Sequence, residues 1–391
     1  MQKNNKNIPD GTRDLLYDEL RLLTEAKRRL ADVYESDGFS QIMTPAIEYY
    51  DVFDYEGQSL GQEAMYKLTD SNGRLIVLRA DNTTPIARVA ATKLRGQPLP
   101  QKLWYKQNVY RVNNDYSGRR NEIIESGIEL IGTGGIKSDL ACLSTALRAL
   151  GALGADFVLE IGHAGFCNAI ISRLSLSPQQ QREVRHYVNT KNVVSLGFIK
   201  NLSGVDKLRM LPRLYGKGEI LDKAAELAEG NKEANDALAT LRQTYNILCD
   251  AGYADNIMLD LGIVHTHDYY TGIVFRGYIA GAGEPVLLGG RYDNLIRQFD
   301  CDLPAIGFAI NLCLVADALK RTGAMSPKPM PDCLIHFSPS DFAAAEKLRR
   351  RLEGEGRCVE LSLFNCYKQS VAYAKAVGIE EIINLAGGEE V

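Results

Sequence analysis

The 391-residue chain has no run of about 18 apolar residues, the length that a membrane-crossing helix needs. Its first residues, MQKNNKNIPDGTRDLL, lack the apolar core of a signal peptide, so a cytoplasmic protein with no membrane partner is expected. Its 8 cysteines, at 142, 167, 249, 301, 313, 333, 358 and 366, include no C-x-x-C pair. That excludes the usual spacing of structural zinc and leaves them as small buried hydrophobes in a reducing compartment. Positive charge is not in excess either: 45 Lys+Arg stand against 49 Asp+Glu, for a net charge of -4 and a pI near 5.9. Neutralising many backbone phosphates is therefore not its main business, and nucleic acid is not the favoured partner. No P-loop, dinucleotide fingerprint or G-x-S-x-G elbow occurs.

What is present is ample apolar material, 45% of residues, in a chain long enough for two or three domains. LYDELRLLTEAKRRLADVYES (16–36) has apolar residues at helical spacing, with Gly38 as a stop. A strand over 39–53 follows, interrupted by Pro45, which a sheet edge or a dimer seam would tolerate. Residues 66–131 alternate β-rich runs with polar turns, as an antiparallel meander does. A helix capped at Ser138 is expected over 138–154, then a strand over 157–166. Between about 168 and 253 the chain is nearly all helix-forming, and strand signals return from Asn256 to Pro304. PAIGFAINLCLVADAL (304–319) predicts a strand running into a helix. After a proline-marked linker, residues from Asp332 read strand–helix–strand.

Four stretches could carry chemistry. In YRVNNDYSGRRNEIIESGIEL (110–130), Arg111, Arg119 and Arg120 flank a loop with Gly118, and the return strand offers Glu125, Gly127 and Glu129 on one face at period 2. Guanidiniums there could fork onto a phosphate or carboxylate, and the carboxylates suit an ammonium or imidazolium; an ordinary solvated hairpin accounts for the same residues. In LRADNTTPIAR (78–88), Asp81, Thr83 and Thr84 gather where a helix begins at Pro85, which N-capping alone would explain. In VHTHDYYTGIVF (264–275), His265, His267 and Asp268 have no third imidazole or thiolate nearby, so no metal is expected. Tyr269 and Tyr270 fit pocket walls, or core packing. In LLGGRYDNL (287–295), two glycines would let backbone approach a ligand, with Arg291, Tyr292 and Asp293 following.

In this order, these stretches resemble the catalytic core of the histidyl-tRNA synthetases, a class II aminoacyl-tRNA synthetase family, from IPDGTRDLL to about residue 320. The resemblance implies an α+β fold: an antiparallel sheet flanked by helices, with a helical insertion and a small C-terminal α/β domain. The boundaries expected are 1–167 and 254–324 for the two parts of the core, 168–253 for the insertion, 325–331 for the linker and 332–391 for the last domain. That last domain resembles the first part of the synthetase anticodon-binding domain and stops at least a strand and a helix short of it. The strand with Pro45 resembles the class motif at the dimer interface, which implies a homodimer.

The departures concern charge. The third class motif of the family ordinarily carries an arginine after its glycine, leucine and glutamate, and here Asn311, Leu312, Cys313 and Leu314 stand there. His265 stands where the first histidine motif opens with an arginine, and Asn113 and Asn114 replace acidic and arginine residues of the second class motif. The amino-acid side is kept. By match to the family, Asp81 and Thr83 face a ligand ammonium, Glu125 stands where a glutamine sits, Glu129 addresses the imidazole region, and Tyr270 and Tyr292 close the cavity. With Arg111 and Tyr269 these complete the expected histidine site, and Arg111 and Arg119 could hold an anion.

Such a pattern is similar to the regulatory subunits of ATP phosphoribosyltransferase, a paralogue family of the synthetases. The resemblance implies a non-catalytic chain without cofactor that activates a short catalytic subunit in the first step of histidine biosynthesis. It would also mediate feedback inhibition by L-histidine. The rival readings are a histidine-activating class II ligase, the synthetase included, and a stand-alone module that binds histidine or tRNA.

Overall fold

A computed structural model of the chain describes residues 6–55, 61–113, 119–174, 176–197, 205–263, 270–324 and 330–386. It divides into two compact units, Met1–Met325 and Ser326–Val391.

The strands of the larger unit are β1 (Ser40–Gln41), β2 (Ile47–Tyr49), β3 (Lys67–Thr69), β4 (Leu75–Leu78), β5 (Gln101–Tyr110), β6 (Glu122–Ile131), β7 (Phe157–His163), β8 (Tyr215–Gly216), β9 (Ile257–Asp260), β10 (Ile273–Ile279), β11 (Leu287–Arg291) and β12 (Ala305–Asn311). Its longer helices are α1 (Tyr17–Ser36), α2 (Thr83–Ala91), α3 (Ile136–Ala152), α4 (Ala164–Ser172), α5 (Pro178–Asn189), α6 (Val193–Leu196), α7 (Val205–Met210), α8 (Ile220–Leu227), α9 (Lys232–Leu248) and α10 (Leu312–Thr322). Among the described residues, the central sheet runs β1-β5-β6-β12-β11-β10-β7-β9-β8. Its middle is antiparallel; β1 with β5 and β7 with β9 are parallel.

Period 2 along β6 divides the sheet. Ile128 and Leu130 enter the large apolar cluster shared with α1, α3 and α10, while Glu125, Gly127 and Glu129 point to the opposite face. Leu22, Leu23, Ala26, Leu30 and Tyr34 of α1 recur at three- and four-residue intervals and are all buried in that cluster. Ile86, Ala87 and Ala90 of α2 cover part of the opposite face with Leu103, Tyr105 and Tyr292. The helices after β7 share the large cluster: Val184, Leu196, Leu221 and Leu241 pack in it with Leu159 and Ile161.

Several expectations need correction; the strand expected over 157–166 ends at His163, where α4 takes over, and α2 begins at Thr83 rather than Pro85. The stretch over 39–53 is not one strand: it breaks between β1 and β2, where the carbonyls of Thr44 and Pro45 turn onto the buried Arg79 guanidinium at 2.8 and 3.0 Å. The meander over 66–131 is two separate hairpins, because β2, β4 and β3 form their own sheet and α2 intervenes before β5. Helix α3 starts at Ile136, behind Gly135 at φ 82°, so Ser138 lies inside its first turn. The small β2-β4-β3 sheet leaves Ile47, Tyr49 and Leu68 exposed, near the exposed Met43.

In the smaller unit, β13 (Cys333–His336) lies between β14 (Val359–Leu361) and β15 (Glu381–Asn384), all parallel. Cys333 and Ile335 pack with Ala345 and Leu352 of α11 (Phe342–Gly354), and Leu334 with Ala374 of α12 (Tyr367–Val377). Alternate residues of one strand thus serve two helices on opposite faces.

Arg291, at the end of β11, is a tie rather than a cavity residue. Its guanidinium is 2.6 Å from Asp139 of α3 and 3.0 Å from Asp293, and its Nη2 donates to Ser138 Oγ at 2.6 Å. Both members of the Arg291–Asp139 pair are nearly free of solvent, at 7% and 5% side-chain exposure. Removing the cation leaves a buried carboxylate uncompensated, so Arg291→Met should lower unfolding free energy in urea by about 3–5 kcal/mol. Adding Asp139→Leu should restore much of that loss.

Candidate functional site

The face of β6 that points away from α1 floors a cavity of about 720 Å³, lined by β5, β6, β12, the start of α2 and Tyr270, Tyr292 and Leu314. Glu129 sits at its inner end, 1% exposed. Its Oε1 accepts from Thr83 Oγ1 at 2.8 Å and its Oε2 accepts from the Tyr292 hydroxyl. Across the ladder Glu129 faces Gly307, and a Cβ there would lie 1.9 Å from Glu129 Oε2. A glycine at 307 is thus what lets the carboxylate lie flat on the sheet. Burial pushes the Glu129 carboxyl up to about 8, opposed by the hydrogen bonds from Tyr292 and Thr83 and reinforced by the charges of Asp81 and Glu125.

Glu125, two pleat repeats away on the same face, is 7% exposed. Its Oε2 accepts from Asn82 Nδ2 at 3.1 Å and its Oε1 from Arg111 Nη2 at 3.2 Å. Burial raises its pKa and the Arg111 charge lowers it. Arg111 is steadied by donating Nε to the Ala80 carbonyl at 2.8 Å. Asp81 lines the cavity, yet its oxygens accept from the Thr84 amide at 2.7 Å and the Thr84 hydroxyl at 3.0 Å, so it also caps α2.

The outer end is different. Leu314 lines it, and Asn311 Oδ1 accepts from the amides of Cys313 and Leu314 at 3.0 and 3.1 Å. The first donors of α10, otherwise an anion site, are therefore taken by the chain itself. Arg120 is neutralised by Asp317 at 2.9 Å. Glu284 adds a further carboxylate to this end, and the exposed Arg119 lies at the rim.

Asn113 and Asn121 bridge the two stems of the loop between β5 and β6. Asn121 Oδ1 accepts from the Asn113 amide at 3.0 Å, and its Nδ2 donates to the Asp10 carbonyl at 3.1 Å and to the Tyr66 hydroxyl at 2.9 Å. Its backbone N donates to Gly11 O at 2.7 Å and its carbonyl accepts from Arg111 N at 2.8 Å.

Of the residues named from the sequence, Asp81, Thr83, Arg111, Arg119, Glu125, Glu129, Tyr270 and Tyr292 all line this one cavity. Asn114, Gly118, His265, His267, Asp268 and Tyr269 lie outside the described residues. Among the described residues, no group of three or more His, Cys, Asp or Glu is placed to hold a metal ion. No helix among them is long and apolar enough to cross a membrane. The glycines at 289 and 290 do not admit a ligand: a Cβ at Gly289 would strike Phe275 at 2.5 Å, and one at Gly290 would strike Tyr270 at 2.6 Å. They make room for aromatic rings. Tyr105, Asn82 and Glu284 line the cavity and escaped sequence reasoning. Tyr105 shares its strand face with Gln107, and a polar residue at period 2 within an otherwise apolar strand was the signal that could have found it.

The family described as histidyl-tRNA synthetase matches residues 11–315. An ATP phosphoribosyltransferase regulatory subunit of Clostridium botulinum (strain Langeland / NCTC 10281 / Type F) is 38% identical over 398 residues, covering 100% of this chain and 94% of that protein. The chain belongs to the ATP phosphoribosyltransferase regulatory-subunit family. Another such subunit, from Bacillus cereus (strain G9842), is 37% identical over 98% of this chain and 92% of its own length. The crystal structure of an ATP phosphoribosyltransferase regulatory subunit/histidyl-tRNA synthetase from Bacillus halodurans C matches with a TM-score of 0.84 at 28% identity, over 98% of this chain and 99% of that one. Histidyl-tRNA synthetase from Nostoc sp. PCC 7120, at 21% identity and a TM-score of 0.75 over 96% of this chain and 90% of that one, shares the fold. The class II, α+β architecture of the regulatory-subunit family is thus the one found here.

Glu129 makes a pH prediction. Between its ordinary value near 4.5 and its folded value of about 8, the folded chain keeps a proton that the unfolded chain has released. Stability of the unliganded protein should then fall with rising pH across that window, by at most about 1.4 kcal/mol per pH unit, and level off above it. Glu129→Gln should flatten this slope in denaturant titrations run from pH 5 to pH 9.

Proposed function

We propose that the chain is a non-catalytic regulatory subunit that joins a short-form ATP phosphoribosyltransferase catalytic subunit, activates it, and senses L-histidine in the cavity on β6. The observation that carries this reading is the difference between the two ends of that cavity. The inner end keeps Glu129, Glu125, Thr83 and Tyr292 in a tight hydrogen-bonded set fitted to a small cationic amino acid. At the outer end Leu314 stands in the arginine's place and Arg120 is cancelled by Asp317. Adenylate formation builds charge on a phosphate, and each missing donor of that kind costs about 2.7–4 kcal/mol in the transition state.

In this reading histidine lies with its ring toward Glu129 and its ammonium toward Asp81 and Glu125. Its carboxylate lies toward Arg111, with Arg119 at the rim, and Tyr270 and Tyr292 are walls. The membership of the regulatory-subunit family supports the partner, and the effector follows from the chemistry of the inner end. The exposed Ile47, Tyr49, Leu68 and Met43 support a homodimer across the small sheet.

Co-expression with the short catalytic subunit should give a complex whose phosphoribosyltransferase activity exceeds that of the catalytic subunit alone and falls when histidine is added. The purified chain should show no ATP–pyrophosphate exchange with histidine; robust exchange would overturn the reading. Glu129→Ala should weaken histidine binding in calorimetry by roughly 10- to 100-fold. Unchanged binding in both Glu129→Ala and Tyr270→Ala would remove histidine from this cavity. Light scattering should find the isolated chain dimeric, and Leu68→Asp should shift it toward monomer.

A further inference from the structure

A second cavity, of about 650 Å³, opens among the helices that follow β7. It lies across the sheet from the first: His163, which lines it, follows Ile161 at period 2 on the face that joins the large apolar cluster. α4 turns Gly165, Asn168 and Ser172 to this trough, and α9 turns Glu233, Asp236 and Thr240, both sets at the same i, i+3, i+7 spacing. Its base is small, with Ala169 and Ala237 buried. No large apolar side chain lines it, so an amphipathic partner helix would find nothing there to bury its apolar face against. The occupant it suits is polar.

The charges say which polar occupant. Arg185 of α5 shares the lining with Glu233 and Asp236, yet none of the three has an ion-pair partner among the described residues. The Arg185 guanidinium donates to Asn168 Oδ1 instead. Burial pushes the His163 imidazole down to about 4, which leaves the ring neutral at ordinary pH. Its Nδ1 accepts from the Gly165 amide at 3.1 Å, so the ring hydrogen sits on Nε2 and that nitrogen is a donor. Opposite charges that line one cavity without meeting leave a gap that a molecule bearing both signs would bridge.

We propose that this trough is a second small-molecule site, taking a zwitterion whose carboxylate pairs with Arg185 and whose ammonium pairs with Asp236 and Glu233. The guanidinium fork offers a carboxylate two parallel donors, and two carboxylates one helical turn apart suit the several N–H groups of a primary ammonium. The volume falls within the usual range of ligand pockets, about 300–1,000 Å³. A molecule with one charge alone satisfies one wall and leaves the other in water. The site stands apart from the histidine reading, because it shares no lining residue with the cavity on β6.

The test is a ligand-observed NMR titration of the full-length chain with glycine, γ-aminobutyrate and ε-aminocaproate, which carry the same two charges at increasing separation. One of the three should bind best, and caproate and hexylamine, with one charge each, should bind about 10- to 100-fold more weakly than that probe. Arg185→Gln and Asp236→Asn should each weaken it by a similar factor. Both residues are open to solvent, so melting temperature should hold in either variant. Arg185→Glu combined with Asp236→Arg should recover binding, since a zwitterion can lie in the trough the other way round. Glu129→Ala, which alters the other cavity, should leave the titration unchanged. Failure of all three probes to bind would overturn the proposal. So would binding that survives both single substitutions, or binding that disappears in Glu129→Ala.

Discussion

Everything around the cavity answers to one constraint: two carboxylates, Glu125 and Glu129, are buried on one face of the middle strand β6. Water cannot solvate them there, so the chain must supply donors, neutralise them, or keep them protonated. Thr83 and Asn82 come from the start of α2, Tyr292 from just past β11, and Arg111 from the end of β5. Three separate segments are thereby pinned to one strand. The glycines at 127 and 307 follow from the same requirement, since a methyl group at either would collide with the backbone or the carboxylate. Such an arrangement is costly for stability, and it is the kind of local cost that a binding site retains when a ligand compensates it.

The outer end obeys the opposite logic. Apart from the exposed Arg119 at the rim, its cationic positions are absent or already satisfied within the chain, and the amides at the start of α10 are occupied by Asn311. A polyanion arriving there would have to displace Asp317 from Arg120 and would meet Glu284. One cavity is therefore polarised, with buried carboxyl groups on its floor and mostly matched charges at its mouth. On the reading proposed above, that polarity would separate recognition of an amino acid from any chemistry performed on it.

Much of this was legible in the sequence. α1 was plain because its apolar residues keep a helical period over twenty positions, and the residues so spaced are the buried ones. The passage from β12 into α10 was equally plain, as was the period-2 spacing of Glu125, Gly127 and Glu129. What could not be read are pairings between distant segments. Arg291 looked like a ligand group because it follows two glycines, but its partner Asp139 is 152 positions away. Arg120 looked like a phosphate cation, and its partner Asp317 is 197 positions away. The break near Pro45 has the same origin, since it is the Arg79 guanidinium from another segment that turns the carbonyls there. Local pattern names the element; only the fold says which charge is already matched.

Asn121 shows what such matching implies for movement. With its side chain and backbone it joins the leading segment at Asp10 and Gly11, the hairpin at Tyr66, and both Asn113 and Arg111. No donor or acceptor of its amide is left over for a looser arrangement. The segment at Asp10 and Gly11 and the rim of the cavity are consequently buttressed by one side chain, so that replacing it would loosen both together.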